Sequence, residues 1–299
     1  MNIYLSSIYL VYMEGFTMDM MTSFWMEFFR NETSQGNWWT RKRRLSQDRG
    51  AEIVRINGEG HVFQKMQYDD HQSYRYLLHL SFLIHQKDYF YVEEMIIPYR
   101  FQLHNGKITE HWKVNPQSED NQNLPTISEN NMVINSRLER FSYDRLAAVK
   151  YAEHWWNSYN PAYQKFDVDC TNYISQCLRA GGAPMHGMPM RDKGWWCQTN
   201  NWSYSWAVAH SLRWYLSGST AGLQGKEVAS AADLYPGDVI CYDFQGDGRW
   251  DHNTIVVTKD ANGMPLVNAH TDNSRHRYWS YEDSTAWTPQ IQYKFFQIG

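Results

Sequence analysis

Apolar positions in the first third of the chain alternate with polar ones in a period of two, after one segment that repeats every three to four residues. Residues 16–30 set Phe16, Met20, Phe24 and Phe28, with Met21 and Trp25, along one stripe, which predicts an amphipathic helix. Residues 51–56, 61–68, 74–85, 89–99 and 101–113 alternate, and the dipeptides Asn57-Gly58 and Asn105-Gly106 predict tight hairpins. One or two helices on a curved antiparallel sheet is the economical reading of residues 1–114. Arg41-Lys42-Arg43-Arg44, before the first strand, reads as a solvated basic loop.

Residues 115–131 are polar, contain Pro116 and Pro125, and read as a linker. Beyond it, Ser142 is expected to cap a helix with Leu146, Val149, Ala152 and Trp156 on one face. Asp169 is expected to cap a second helix, whose Tyr173, Ile174, Cys177 and Leu178 have helical spacing and whose end is set by Gly181-Gly182. Residues 204–216 predict a third. From Asp238 onward, residues 239–244, 254–259, 265–270 and 291–297 read as strands, with a turn at Ala261-Asn262-Gly263. Helices first and an antiparallel sheet afterwards is the order of an α+β domain. The expected organisation is therefore a smaller α+β domain at 1–114, a linker at 115–131 and a larger α+β domain at 132–299.

The 299 residues suffice for two domains. A net charge of −4 gives no overall attraction to nucleic acid or anionic lipid. The apolar run from Ile3 to Tyr12 is too short to span a membrane, and it lacks the basic flank and small-residue cleavage site of a signal peptide. No membrane span is expected, and the cytoplasm is the default location. Four cysteines in so long a chain make no disulfide framework and show no zinc-ligand spacing, so neither metal nor cofactor is expected. Asp243, Gln245, Asp247, Gly248 and Asp251 imitate a calcium loop, but Thr254 stands where the bidentate glutamate belongs. Trp195, Trp196, Trp202 and Trp206 read as about half core and half cleft wall.

The chemistry concentrates at Cys170. In the first turn of its helix, unpaired N–H groups and the macrodipole favour a thiolate. Far downstream His252 opens the apolar run Thr254-Ile255-Val256-Val257, where an imidazole can face a helix start. A thiol and an imidazole so placed form a nucleophile and base pair.

Several motifs together resemble the bacterial amidase domain of the papain-like superfamily, related to NlpC/P60 and CHAP cell-wall hydrolases. They are Tyr159-Asn160-Pro161-Ala162-Tyr163, the run from Asp169 to Leu178, Ala180-Gly181-Gly182, the run from Leu234 to Ile240, Trp250-Asp251-His252 and Val267-Asn268-Ala269-His270-Thr271. The resemblance covers about half the chain. It implies a thiol hydrolase of amide bonds, with a peptide substrate such as one from peptidoglycan. A rival enzymatic reading of the same dyad is a transglutaminase-like acyl transferase. A non-catalytic envelope or spore module with the same fold is the reading from another class. It further implies a third residue that orients the base, His270 by the NlpC/P60 pattern or Asn268 by the papain analogy. Gln164, Tyr163 or Tyr159 would complete the oxyanion hole, and Asp169 would position the helix. Residues 1–114 resemble cystatin-like or NTF2-like folds only in element order.

Overall fold

Long alternating runs become long strands. The computed structural model describes residues 4–11, 15–31, 37–114 and 141–299. It divides into two compact units, Met1–Asn115 with Glu282–Thr285, and Pro116–Tyr281 with Ala286–Gly299. The linker reading at 115–131 falls outside the described residues.

In the first unit, β1 (Tyr4–Val11) pairs in parallel with β2 (Ala51–Tyr68). The strands β2, β3 (His71–Gln86), β4 (Tyr89–His104) and β5 (Lys107–Lys113) then pair in antiparallel order. Asn105-Gly106 makes its hairpin with φ of 49° and 72°. Asn57-Gly58 makes none: it lies inside β2, opposite Ser81 and Leu80. A turn there would strand half the ladder groups of the sixteen-residue β3, a cost the chain avoids by staying extended.

Helix α1 (Gly15–Arg30) buries Met21, Trp25 and Phe29. The expected basic loop is instead helix α2 (Trp38–Asp48), capped by Asn37, whose Oδ1 accepts from the Thr40 N–H at 2.8 Å. Its inner face is Trp38, Trp39, Lys42 and Leu45. The Lys42 ammonium is buried against the carboxylates of Glu93 and, at 3.2 Å, Asp283. A lysine at a core-facing position hides the apolar stripe from a sequence reading, and only its two distant partners make that position tenable.

The second unit begins with α3 (Arg145–Trp155), capped by Asp144 rather than Ser142: Asp144 Oδ1 accepts from the Ala147 N–H at 2.9 Å. Leu146 is exposed, and Ala148 and Ala152 face inward in its place. Helix α4 (Cys170–Ala180) follows, then the short hairpin β6 (Cys197–Gln198) and β7 (Asn201–Trp202). The expected single helix at 204–216 is two, α5 (Tyr204–Ala207) and α6 (Ala209–Gly218), because Val208 is extended at φ −116° and ψ 124°. Trp195, Trp196 and Trp206 are core, which leaves Trp202 alone partly exposed.

The sheet of this unit adds β8 (Gly225–Val228), β9 (Val239–Asp243), β10 (His252–Lys259), β11 (Pro265–Ala269), β12 (Ser274–Tyr278) and β13 (Gln292–Ile298), in the order β12-β11-β10-β9-β13-β8. The short polar strands β8 and β12 lack the apolar alternation that reveals the others. Val239, Cys241, Ile255 and Val257 pack against Tyr173, Ile174, Cys177 and Leu178 of α4. Ile240, Tyr242, Val256, Val267 and Ala269 line the opposite face with Phe244 and Tyr281. Buried Asp238 ties the unit together: it pairs with Arg145 of α3 and accepts from the backbone N–H groups of Tyr235 at 2.8 Å and Ile298 at 2.9 Å. Each unit is thus α+β, the second with an antiparallel sheet and the first with a sheet that is antiparallel except for the β1–β2 pair. No helix among the described residues is long and apolar enough to cross a membrane.

Candidate active site

Cys170 is the first residue of α4 and is almost wholly buried. Its sulfur lies 3.7 Å from the Thr171 hydroxyl, and the backbone of Asn253 and the side chain of Thr271 add polar influence without a formed hydrogen bond from the Thr271 hydroxyl. Burial, the largest influence, raises the thiol above its ordinary pKa, and the charge of Asp169 adds to this. These three polar groups pull the other way without prevailing, so the resting group is a thiol rather than the thiolate that a helix start suggests.

Asp169 stands at the cap position but makes no side-chain bond to the helix backbone. Its Oδ1 accepts from the Phe166 N–H at 3.1 Å and from Asn172 Nδ2 at 2.9 Å, and its Oδ2 lies 2.7 Å from His270 Nδ1. The other nitrogen of His270 donates to the Trp155 carbonyl at 2.7 Å, and the ring stacks on Tyr173 with centroids 3.9 Å apart. Both ring nitrogens are thus engaged, one with a carboxylate and one with a backbone carbonyl. The bond from residue 270 to residue 169 sets Thr271 beside Cys170. Thr271 has φ +86°, a strained value for a β-branched residue.

Strand alternation decides where His252 points. It pairs with Tyr242, while Asn253 pairs with Cys241 and donates from Nδ2 to Thr171 Oγ1 at 3.0 Å. Asn253 therefore faces α4, and the His252 ring sits among Tyr242, Phe244 and Tyr281 on the opposite face. Its Nε2 is 3.4 Å from the Tyr281 hydroxyl, a long hydrogen bond. Burial, with the nearby Arg277 cation, holds its pKa down at about 3, so it is neutral at physiological pH.

The remaining candidates scatter. Asn268 donates to Glu153 Oε1 at 2.9 Å and accepts from the His276 N–H at 2.9 Å. Burial favours protonated Glu153, but His276 and Arg275 outweigh it and keep the carboxylate ionised with a pKa of about 2. Gln164 points its side-chain amide at the Lys165 carbonyl, at 3.0 Å, while its own carbonyl accepts from Asn172. Tyr163 stacks on Trp206, and Tyr159 sits edge-on to His270 with centroids 5.0 Å apart. Thr171, Asn253 and Thr271 were not singled out from sequence. Thr171 and Thr271 each follow a candidate residue, which is the signal that could have drawn attention to them. In the calcium-like loop, the Asp243 carboxylate accepts from the N–H groups of Gly246 and Gly248, both at 2.7 Å, and so serves the turn.

Comparison with known proteins bears on the same unit. Residues 142–296, just over half of the chain, match the family described as "Putative amidase domain". The Bacillus subtilis (strain 168) protein YhbB, itself uncharacterized, is 46% identical over 263 residues, 86% of this chain and 85% of its own length. A second uncharacterized protein of that organism, YjcM, is 34% identical over 140 residues, 44% of this chain and 31% of its own. No solved structure matches. The match begins just before α3 and takes in Cys170, His252 and His270 together, so the chain belongs to this amidase family.

Proposed function

We propose that the chain hydrolyses amide bonds with Cys170 as nucleophile, in the manner of a papain-like, NlpC/P60- and CHAP-related thiol hydrolase. The observation that carries this reading is a thiol at the first position of α4, inside the amidase-family segment, whose sulfur lies 3.7 Å from the Thr171 hydroxyl. Helix-before-sheet order in the second unit supports the papain-like assignment.

The sulfur attacks the amide carbonyl and its proton passes to a base. The C–N bond then breaks as the amine takes that proton, and water releases the acyl group as a carboxylic acid. His252 is the candidate base, because it is neutral above about pH 3 and has only a 3.4 Å bond to Tyr281 to give up. Its neighbour Asn253 is the side chain turned toward α4, so the reading requires His252 to leave the opposite face of the sheet, where it lies against Tyr242, Phe244 and Tyr281. His270 already has both nitrogens engaged, one with Asp169 and one with the Trp155 carbonyl. It fits a positioning role, holding Asp169 and through it the start of α4. Asn268, held by Glu153 and His276, supports that strand. The N–H of Cys170 would be one oxyanion donor, with Gln164, Tyr163 and Tyr159 as candidates for the second. A cell-wall peptide is the proposed substrate class, by resemblance to the NlpC/P60 and CHAP enzymes.

Incubation with peptidoglycan fragments and mass spectrometry of the products tests the reading. New carboxyl and amino ends that vanish with Cys170→Ala are expected; identical products from that variant would end it. Added hydroxylamine distinguishes an acyl transferase, which would give hydroxamate in preference to acid. The raised pKa of the buried thiol favours a second reading, a non-catalytic module that keeps the fold. A Cys170 inert to iodoacetamide at neutral pH in the presence and absence of those fragments would favour it.

A further inference from the structure

We propose that Asp70, His71 and His104 form a binding site for a borderline divalent transition metal, such as Zn²⁺, on the first unit. His71 opens β3 and His104 closes β4, and the two are direct partners across the ladder, so their side chains leave the same sheet face together. Their rings lie 4.4 Å apart between centroids. Asp70 belongs to the turn that joins β2 to β3, where Asp69 at φ 50° reverses the chain. That turn brings the Asp70 carboxylate between the imidazoles, with Oδ1 2.8 Å from His71 Nδ1 and Oδ2 3.4 Å from His104 Nδ1.

The three residues each offer a ligand atom, and these atoms lie within 4.8 Å of one another. Ligands of a tetrahedral ion with bonds of about 2.0–2.1 Å stand about 3.3 Å apart, close to the spacings already present. Two imidazoles and one carboxylate suit zinc, nickel, copper or cobalt rather than calcium or magnesium, which prefer all-oxygen shells. His104 also has an outer partner: Asn105 Nδ2 is 3.1 Å from its Nε2. A metal on Nδ1 moves the ring proton to Nε2, and Asn105 accepts it by turning its amide over, the kind of second contact that fixes a metal-bound histidine. Asp70 and His71 are exposed, so water completes the coordination and the ion needs no path through the protein.

Because His71 and His104 come from neighbouring strands, the ion would cross-link the open end of the β3–β4 pair. Its chemistry is separate from the thiol site of the second unit, and the proposal does not depend on it.

Titration of the full chain with Co²⁺ tests the assignment, because cobalt reports its own ligands. The expected result is one equivalent bound with a visible d–d band and no thiolate charge-transfer band in the near ultraviolet. His71→Ala and His104→Ala should each weaken binding by more than about tenfold, since even an outer partner is worth about 10–100-fold. Asp70→Asn, nearly isosteric, should weaken it while leaving the metal-free melt unchanged. Equal binding by the wild type and all three variants, no binding by any of them, or a band of thiolate origin would overturn the site.

Discussion

Each unit buries charge, and the two do so to different ends. In the first, the Lys42 ammonium meets Glu93 and Asp283, three groups almost without exposure. In the second, Asp169 and His270 pair with similar burial, but the pair lies directly beside a thiol, and the residue after His270 is held at a strained φ. Burial of a pair is therefore not by itself a mark of function. What distinguishes the second array is that its bonds position a reactive atom rather than only one another.

The comparison breaks most sharply at Cys170. Cys170→Ala should abolish amide hydrolysis, a loss of about 10³-fold or more in turnover, with little change in the melt. His252→Gln, if it removes the base, should cost about 10²–10⁴-fold in turnover while Cys170 remains in place. Retained turnover in His252→Gln would pass the base role to another group.

The two buried arrays should lose stability alike and activity unequally. Lys42→Met leaves two buried carboxylates without their cation, and His270→Ala leaves Asp169 without its partner; each should cost about 3–5 kcal/mol. Hydrogen exchange read by mass spectrometry assigns each loss to its own unit. Only His270→Ala should also slow alkylation of Cys170, and an equal slowing by Lys42→Met would erase the contrast.

Thr271 offers a finer test. Thr271→Gly should relieve backbone strain worth about 1–3 kcal/mol, yet remove a polar group that lowers the thiol's pKa and so shift the pH profile of Cys170 alkylation upward. Thr271→Ser should restore the profile. A profile unmoved by both would reduce Thr271 to a structural role.

The smallest effects lie in acid. His111 of the first unit is held by burial at about 4, and His252 at about 3, both below the ordinary 6.5. Each binds fewer protons folded than unfolded, so its stability contribution is full above about pH 6.5. It falls away through about pH 4 for His111 and about pH 3 for His252. His111→Gln should flatten the acid limb of the first unit alone, seen in melts between pH 7 and 4.

Periodicity was a good guide wherever burial follows the chain locally. Helix α4 and its halt at the glycines, the core strands β9 to β11 and β13, and the Asn105-Gly106 hairpin could all be read in advance, because apolar spacing and turn chemistry act within a few residues. The failures share a cause. Asn57-Gly58 is a turn signal overruled by the ladder of β3, and the α2 face is disguised by Lys42, whose partners lie 51 and 241 residues away. β12 is short and polar, and it forms because β11 offers it an edge.

The sequence by itself determined that a cysteine begins a helix and that two histidines lie at the ends of strands downstream of it. Those facts rest on spacing and alternation. Only the tertiary structure decided which histidine shares a face with the thiol, because a one-residue change of pleat sends a side chain to the opposite side of a sheet. By that rule Asn253 reaches Thr171 while His252 lies against Tyr242 and Tyr281. His270, expected to orient another imidazole, holds Asp169 and the first turn of α4.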